Sequence, residues 1–146
     1  HRNVQGLAFD NEGRLWASEF GQNRWDELNL ITKGADYGWP DVEGSGNVRG
    51  MTNPKVVWHT DEASPSGLAY WQNSLWMAGL RGQRLWEIPV AGTKTGDPIA
   101  HFRGDYGRLR TVQVAADGGS LLLTNSNTDG RGDPASDDDR LFQITR

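Results

Sequence analysis

The sequence predicts an all-β fold, on three observations. A strand–turn–strand pattern occurs three times, at Gly6-Leu-Ala-Phe-Asp-Asn-Glu-Gly-Arg-Leu-Trp-Ala-Ser18, Gly67-Leu-Ala-Tyr-Trp-Gln-Asn-Ser-Leu-Trp-Met-Ala-Gly79 and Val112-Gln-Val-Ala-Ala-Asp-Gly-Gly-Ser-Leu-Leu-Leu-Thr124. Each copy is followed by a further alternating segment, and Leu28, Leu85 and Leu141 in those segments lie 57 and 56 residues apart. The 146 residues include 19 glycines and seven tryptophans, a turn-rich and aromatic balance. A steady period of short antiparallel strands is the mark of a β-propeller.

The elements follow in order. The first hairpin turns at Asp10–Gly13, and the second turns at Gln72–Ser74 with one residue fewer. The third turns at Asp117–Ser120. Asp, Asn, Gly and Ser at these turns tolerate the backbone angles that tight hairpins need. The third strand of each unit is expected at Asp26–Ile31, Gln83–Ile88 and Asp139–Ile144. The expected architecture is a partial β-propeller of about three blades, each a four-stranded antiparallel sheet. The repeat units run approximately 1–60, 61–105 and 106–146. Each unit must stack on its neighbours to bury its faces. Three blades do not close a ring, since propellers have about four to eight. The chain is therefore expected to be a piece of a larger protein, or to pair with a second chain, with two sheet faces exposed.

Composition narrows the function. The length suits one domain, and 36% of residues are hydrophobic. No stretch approaches the roughly 18–20 apolar residues of a membrane-spanning helix. No leader is visible, and the chain opens inside a motif, as expected of a fragment or a processed product. With no cysteine there is no disulfide and no thiolate metal site. The net charge of −4 weighs against a nucleic-acid partner.

Two places gather polar groups against apolar strands. Arg2, Asn3 and Gln5 stand at the head of a run that reads as a buried strand. Arg108 and Arg110 stand just before Val112-Gln113-Val114. Polar heads there are costly without a partner. Two strands entered through arginines suggest an anionic ligand at one shared end of the sheets. Arg108 and Arg110 alternate along the chain, so both are expected on one face. The connections 40–55 and 125–138 are long and rich in Gly and Asp, which suits functional loops.

Other residues read more plainly. Trp16, Trp76 and Trp86 are expected in the core between blades, whereas Trp39 and Trp71 lie nearer loops, where stacking on a sugar stays open. Asp137-Asp138-Asp139 reads as a solvated acidic loop rather than a calcium site. Arg131-Gly132-Asp133 reads as an ordinary turn. Glu19, Asp26 and Glu27 either orient a site or bond to backbone amides.

The segments His1-Arg-Asn-Val-Gln-Gly-Leu-Ala-Phe-Asp10, Ala17-Ser-Glu-Phe-Gly21, Asp26-Glu-Leu-Asn-Leu-Ile31 and Asp36-Tyr-Gly-Trp-Pro40 resemble, in order and spacing, the soluble PQQ-dependent sugar dehydrogenases. That group comprises the glucose/sorbosone and aldose sugar dehydrogenases. Ser64-Pro-Ser-Gly-Leu68, Leu80-Arg-Gly82 and Gly107-Arg-Leu-Arg-Thr-Val112 fit the same resemblance, which covers essentially the whole chain. It implies a six-bladed propeller, of which this chain is similar to the C-terminal half. It also implies PQQ and calcium as cofactors. By position, Arg2 and Asn3 match a pair that faces PQQ, and Arg108 and Arg110 match a pair that clamps its carboxylates. Arg81 falls near a lysine that serves a PQQ carboxylate. Gly21 and Gln22 match a carbonyl pair that binds calcium, although the family often has proline where Gln22 stands.

The resemblance implies oxidation of an aldose to a lactone, with electrons passed to an acceptor. The family's histidine base lies in the N-terminal half. His1, His59 and His101 do not match it, so this chain alone is expected not to catalyse the reaction. Family members are exported, which implies a periplasmic or secreted location. Two other readings compete. One is a calcium-dependent, lactonase-like propeller hydrolase, against which Arg108 and Arg110 argue. The other is a non-catalytic propeller that binds partners or glycans.

Overall fold

A computed structural model describes residues 1–145. Every regular element among them is a strand, and the twelve strands form three antiparallel sheets. Among the described residues no helix is long and apolar enough to cross a membrane. The first sheet is a meander of β1 (Val4–Phe9), β2 (Leu15–Glu19), β3 (Trp25–Leu30) and β4 (Val56–His59). The second contains β5 (Pro65–Trp71), β6 (Ser74–Gly79), β7 (Arg84–Ala91), the short β8 (Lys94–Thr95) and β9 (Ile99–His101). β8 pairs with the end of β7, while β9 pairs with its start, Leu85 facing His101. The third contains β10 (Leu109–Val114), β11 (Leu121–Asn125) and β12 (Leu141–Ile144).

The expectation of four strands per sheet thus holds for the first sheet only, since the others have five and three. The extra strand arises because the chain after β7 folds back as a tight hairpin at Gly92, whose φ is +63°, before β9 takes the outer position. In the third sheet β12 is the last strand of the order, and it has an open edge among the described residues.

The three first strands lie side by side, β5 between β1 and β10. Glycine makes that approach possible. A Cβ on Gly6 would meet Ser66 O at 2.5 Å and Leu68 Cβ at 2.7 Å. One on Gly67, the matching position of the next repeat, would meet Val112 N at 2.8 Å. The repeated Gly-Leu-Ala is therefore a spacing device between inner strands.

The core lies in the seams between sheets. Trp16, Leu28, Trp58, Leu68, Met77 and Trp86 fill the first seam. Trp71, Trp76, Leu85, Leu109, Leu121 and Leu123 fill the second. Trp16, Trp76 and Trp86 are core residues as expected. Trp71 is buried too, and its indole donates to Gly118 O at 2.9 Å, which removes it as a sugar platform.

The expectation that the opening strand is buried is corrected. Leu7 is 60% exposed and Phe9 66%. β1 packs on β5 along one side, and its other apolar side chains face outward. Leu141 is also 67% exposed, although its counterparts Leu28 and Leu85 are fully buried. The pattern repeats, but burial needs a neighbouring sheet on each side.

Candidate functional site

Each inner strand is irregular near its start. The register shifts between Val4 and Gly6, between Pro65 and Leu68, and between Leu109 and Thr111. Bulges re-aim side chains and often border sites. Here they align at one end of the three sheets. Arg110 falls inside the third bulge, and Arg108 stands just before β10. The bulge interrupts simple alternation there, and both guanidinium groups reach Asp129 Oδ2, Arg108 at 3.2 Å and Arg110 at 3.5 Å.

Arg108 is buried, yet its Nε has no hydrogen-bond partner. Its amide donates to Asn127 Oδ1 at 2.8 Å, and its carbonyl accepts from Ser126 N at 2.8 Å. The Asn127–Asp133 loop thus lies against it. Asp129 holds its charge readily. Slight burial raises its pKa, but the Arg131 amide and the charge and hydrogen bond of Arg108 hold it below the usual carboxylate range.

A cavity of about 400 Å³ opens beside Arg108, lined by Phe20, Ser64, Leu80, Arg81, Arg108 and Arg131. Its volume falls within the range of small-molecule sites, roughly 300–1,000 Å³. A groove of about 430 Å³ along the inner strands, lined by residues such as Leu7, Phe9, Tyr70 and Val114, carries no cation. The polar cavity is the candidate site because three arginines, Arg81, Arg108 and Arg131, line it.

Phe20 joins the two halves of this end. It lines the cavity, its amide donates to Asn3 O at 3.0 Å, and its carbonyl accepts from Arg2 Nη1 at 3.4 Å. Arg2 Nε donates to Gln22 Oε1 at 2.7 Å, and the guanidinium lies over the Trp39 ring, 5.5 Å from its centroid. Such stacking suits a planar cation. Asn3 Oδ1 accepts from Gln5 at 2.7 Å. His1 bonds to Glu19 and stacks on Tyr37 at 4.2 Å, which makes it a packing partner here.

Gly21 and Gln22 follow Phe20 directly. A Cβ on Gly21 would be driven into the Trp25 carbonyl, so only glycine fits. The donors of this turn are taken by carboxylates. Gly21 N donates to Asp26 Oδ1 at 3.0 Å, and Asn23, Arg24 and Trp25 amides donate to Glu43 Oε1 at 2.9, 2.8 and 3.0 Å. The remaining backbone groups are carbonyls, the hard oxygen type that calcium takes. Among the described residues no three His, Cys, Asp or Glu side chains gather to hold a metal, so a cation at this turn would rest on carbonyls.

Of the two readings of the three acids, the structure shows the bonds to backbone amides. Asp26 ties Gly21 to Ser64 N, the latter at 2.7 Å. Glu27 accepts from Asn29 Nδ2 and from Gly44 N. Glu19 receives the Arg2 amide at 3.3 Å. Burial pushes the pKa of all three upward. In the acidic run Asp137 and Asp139 are exposed, as expected of a solvated loop, and only Asp138 departs from that reading. Asp138 accepts from Asn125, Asn127 and Ala135 N, while Asp139 accepts from Asn127 N and Thr128. Their oxygens latch the loop over Arg108.

Sequence reasoning missed Phe20, Asp129 and Arg131. Phe20 was readable as the residue between Glu19 and Gly21. Asp129 and Arg131 come to the cavity only through the fold of the loop.

The sequence profile of the Glucose / Sorbosone dehydrogenase family matches residues 1–133. The chain belongs to this glucose/sorbosone dehydrogenase family. Among solved structures, the PQQ-bound form of the aldose sugar dehydrogenase from Streptomyces coelicolor is 58% identical, with a TM-score of 0.95 over 99% of this chain and 43% of that one. Aldose sugar dehydrogenase YliI of Escherichia coli is 29% identical over 87% of this chain and 40% of its own length. Quinoprotein glucose dehydrogenase B of Acinetobacter calcoaceticus is 61% identical over a 44-residue stretch that covers 30% of this chain and 9% of its own. The chain spans less than half the length of each. In this member of the family, the expected Arg81 and Arg108 share one cavity. Arg110 joins them through Asp129, and Arg2 and Asn3 join them through Phe20.

Proposed function

We propose that this chain is the cofactor-binding, C-terminal half of a PQQ- and calcium-dependent aldose sugar dehydrogenase that oxidises sugars to lactones. One observation carries the reading: Arg108, buried and with an unpartnered Nε, lines one cavity together with Arg81. A buried donor without a partner is costly unless a ligand completes it. PQQ has three carboxylates on a flat ring system, and planar guanidinium forks both pair with carboxylates and stack on rings. When bound, PQQ with its calcium supplies the two-electron acceptor for the sugar's hydride.

The chain's own residues bind and orient. Arg108 and Arg110 hold carboxylate, with Asp129 fixing their separation. Arg81 supplies a further cation from the β6–β7 turn. Arg2 and Asn3 face the cofactor from the first sheet. Gly21 and Gln22 offer carbonyls to calcium. The base that takes the hydroxyl proton belongs to the N-terminal half, so this chain alone is inactive, and electrons leave to an external acceptor. The location in this reading is periplasmic or secreted. The hydrolase alternative gives the arginine pair no ligand.

Equilibrium titration with PQQ and calcium, followed by quinone absorbance, tests the reading. Saturable binding is expected, weakened at least about tenfold in Arg108→Ala. The full polypeptide then gains dye-linked aldose oxidation. Absence of binding by the full polypeptide overturns the reading in favour of a binding module or hydrolase.

A further inference from the structure

We infer that Arg131 is a further anion-binding residue of this cavity, delivered by a loop that the arginine pair itself anchors. The inference rests on the proposed function and deepens it. Arg131 lines the cavity with Arg81 and Arg108. It is exposed, and its guanidinium enters no ion pair among the described residues.

Its backbone is held in place. Arg131 N donates to Asp129 Oδ1 at 3.0 Å, and the other oxygen of Asp129 takes Arg108 and Arg110. A Cβ on the next residue, Gly132, would meet Asn127 Cα at 2.9 Å and Arg108 Cδ at 3.0 Å, so the loop lies tight on the buried arginine. Asp139 secures its near end through Asn127 N at 2.7 Å and Thr128 Oγ1 at 2.7 Å.

The charge pattern has a purpose in this frame. Asp129 neutralises part of the Arg108–Arg110 pair, and Arg131, two residues on, restores positive charge at the cavity rim. A surface arginine that merely met solvent would not need an anchored loop beneath it. A carboxylate in the cavity is the partner that a free planar fork suits.

The test compares PQQ binding by the calcium-loaded full polypeptide with that of Arg131→Ala, Arg131→Lys and Lys94→Ala. Lys94 lies on the β7–β8 hairpin and is not among the cavity residues, and its removal changes net charge equally. The expected result is binding weakened about tenfold in Arg131→Ala, partly kept in Arg131→Lys and unchanged in Lys94→Ala, with thermal midpoints equal to wild type. Wild-type affinity in Arg131→Ala overturns the inference and leaves the cofactor reading intact. Equal weakening in Arg131→Ala and Lys94→Ala also overturns it, because the effect is then general charge. If wild type itself fails to bind PQQ, the cofactor reading falls, and this inference falls with it.

Discussion

Single side chains are held by neighbours that leave them little freedom. Asp10, in the β1–β2 turn, shows what that order does. Burial raises its pKa, but hydrogen bonds from the Trp16 indole, Arg14 and two backbone amides outweigh burial and bring it to about 2, from an ordinary 3.8. Asp138 is also lowered to about 2, by Asn127, the Ala135 amide and Asn125. A carboxylate whose folded pKa lies below its unfolded value stabilises the fold above the unfolded value. That stability is lost as pH falls through the folded value. Thermal midpoints should therefore drop between about pH 4 and pH 2. Asp10→Asn should cost about 1–3 kcal/mol at neutral pH and flatten the acid limb, as read by denaturant unfolding across pH. Gly21→Ala should disturb the Phe20–Gln22 turn, because its methyl has nowhere to go. Calcium-supported PQQ binding should fall while the seam tryptophans keep their fluorescence. An unchanged calcium requirement in that variant would separate the turn from the metal. At this scale Arg2, Arg108 and Arg110 stood out in local patterns of the sequence, and Arg81 came only with the family resemblance. The sequence hid Asp129 and Arg131, because a loop's approach to a strand is not written in spacing.

Elements were legible where alternation and turn residues agree. The third strands expected at Asp26–Ile31 and Gln83–Ile88 occur at Trp25–Leu30 and Arg84–Ala91. Outer strands were not legible. β9 has three residues, and β4 follows a long connection, so neither carries a period of its own. The bulges escaped too, because an extra residue in one strand is defined only by its partner. Two substitutions measure the seams. Leu123→Ala, in the fully buried second seam, should cost about 2–5 kcal/mol. Gly67→Val should separate β5 from β10, since even a Cβ there meets backbone. Overpacking of this kind costs about 1–3 kcal/mol, and the loss should appear as a lower urea midpoint with Arg108-dependent binding weakened in parallel. Retained stability in Gly67→Val would show that the inner strands tolerate a wider spacing.

The whole chain presents unfinished surfaces. Leu7 and Phe9 on the first sheet and Leu141 on the last are all more than half exposed, and β12 keeps an open edge among the described residues. An unpaired edge and bare apolar side chains favour association. The isolated 146-residue chain should thus self-associate in light scattering, and Phe9→Ser with Leu141→Ser should reduce it. A strictly monomeric wild-type chain at high concentration would refute this. The repeat was legible across the molecule, but the uneven strand number was not, because it depends on how each connection returns.

Asp26 gives the molecule a further property. One carboxylate holds the amide of Gly21 in the β2–β3 turn of the first sheet and the amide of Ser64 at the threshold of the second. The two sheets are therefore mechanically coupled at the site and not only glued along their seam. Any occupant that steadies the Gly21–Gln22 turn also steadies Ser64, so protection of the Ser64 amide against hydrogen exchange becomes a remote gauge of occupancy.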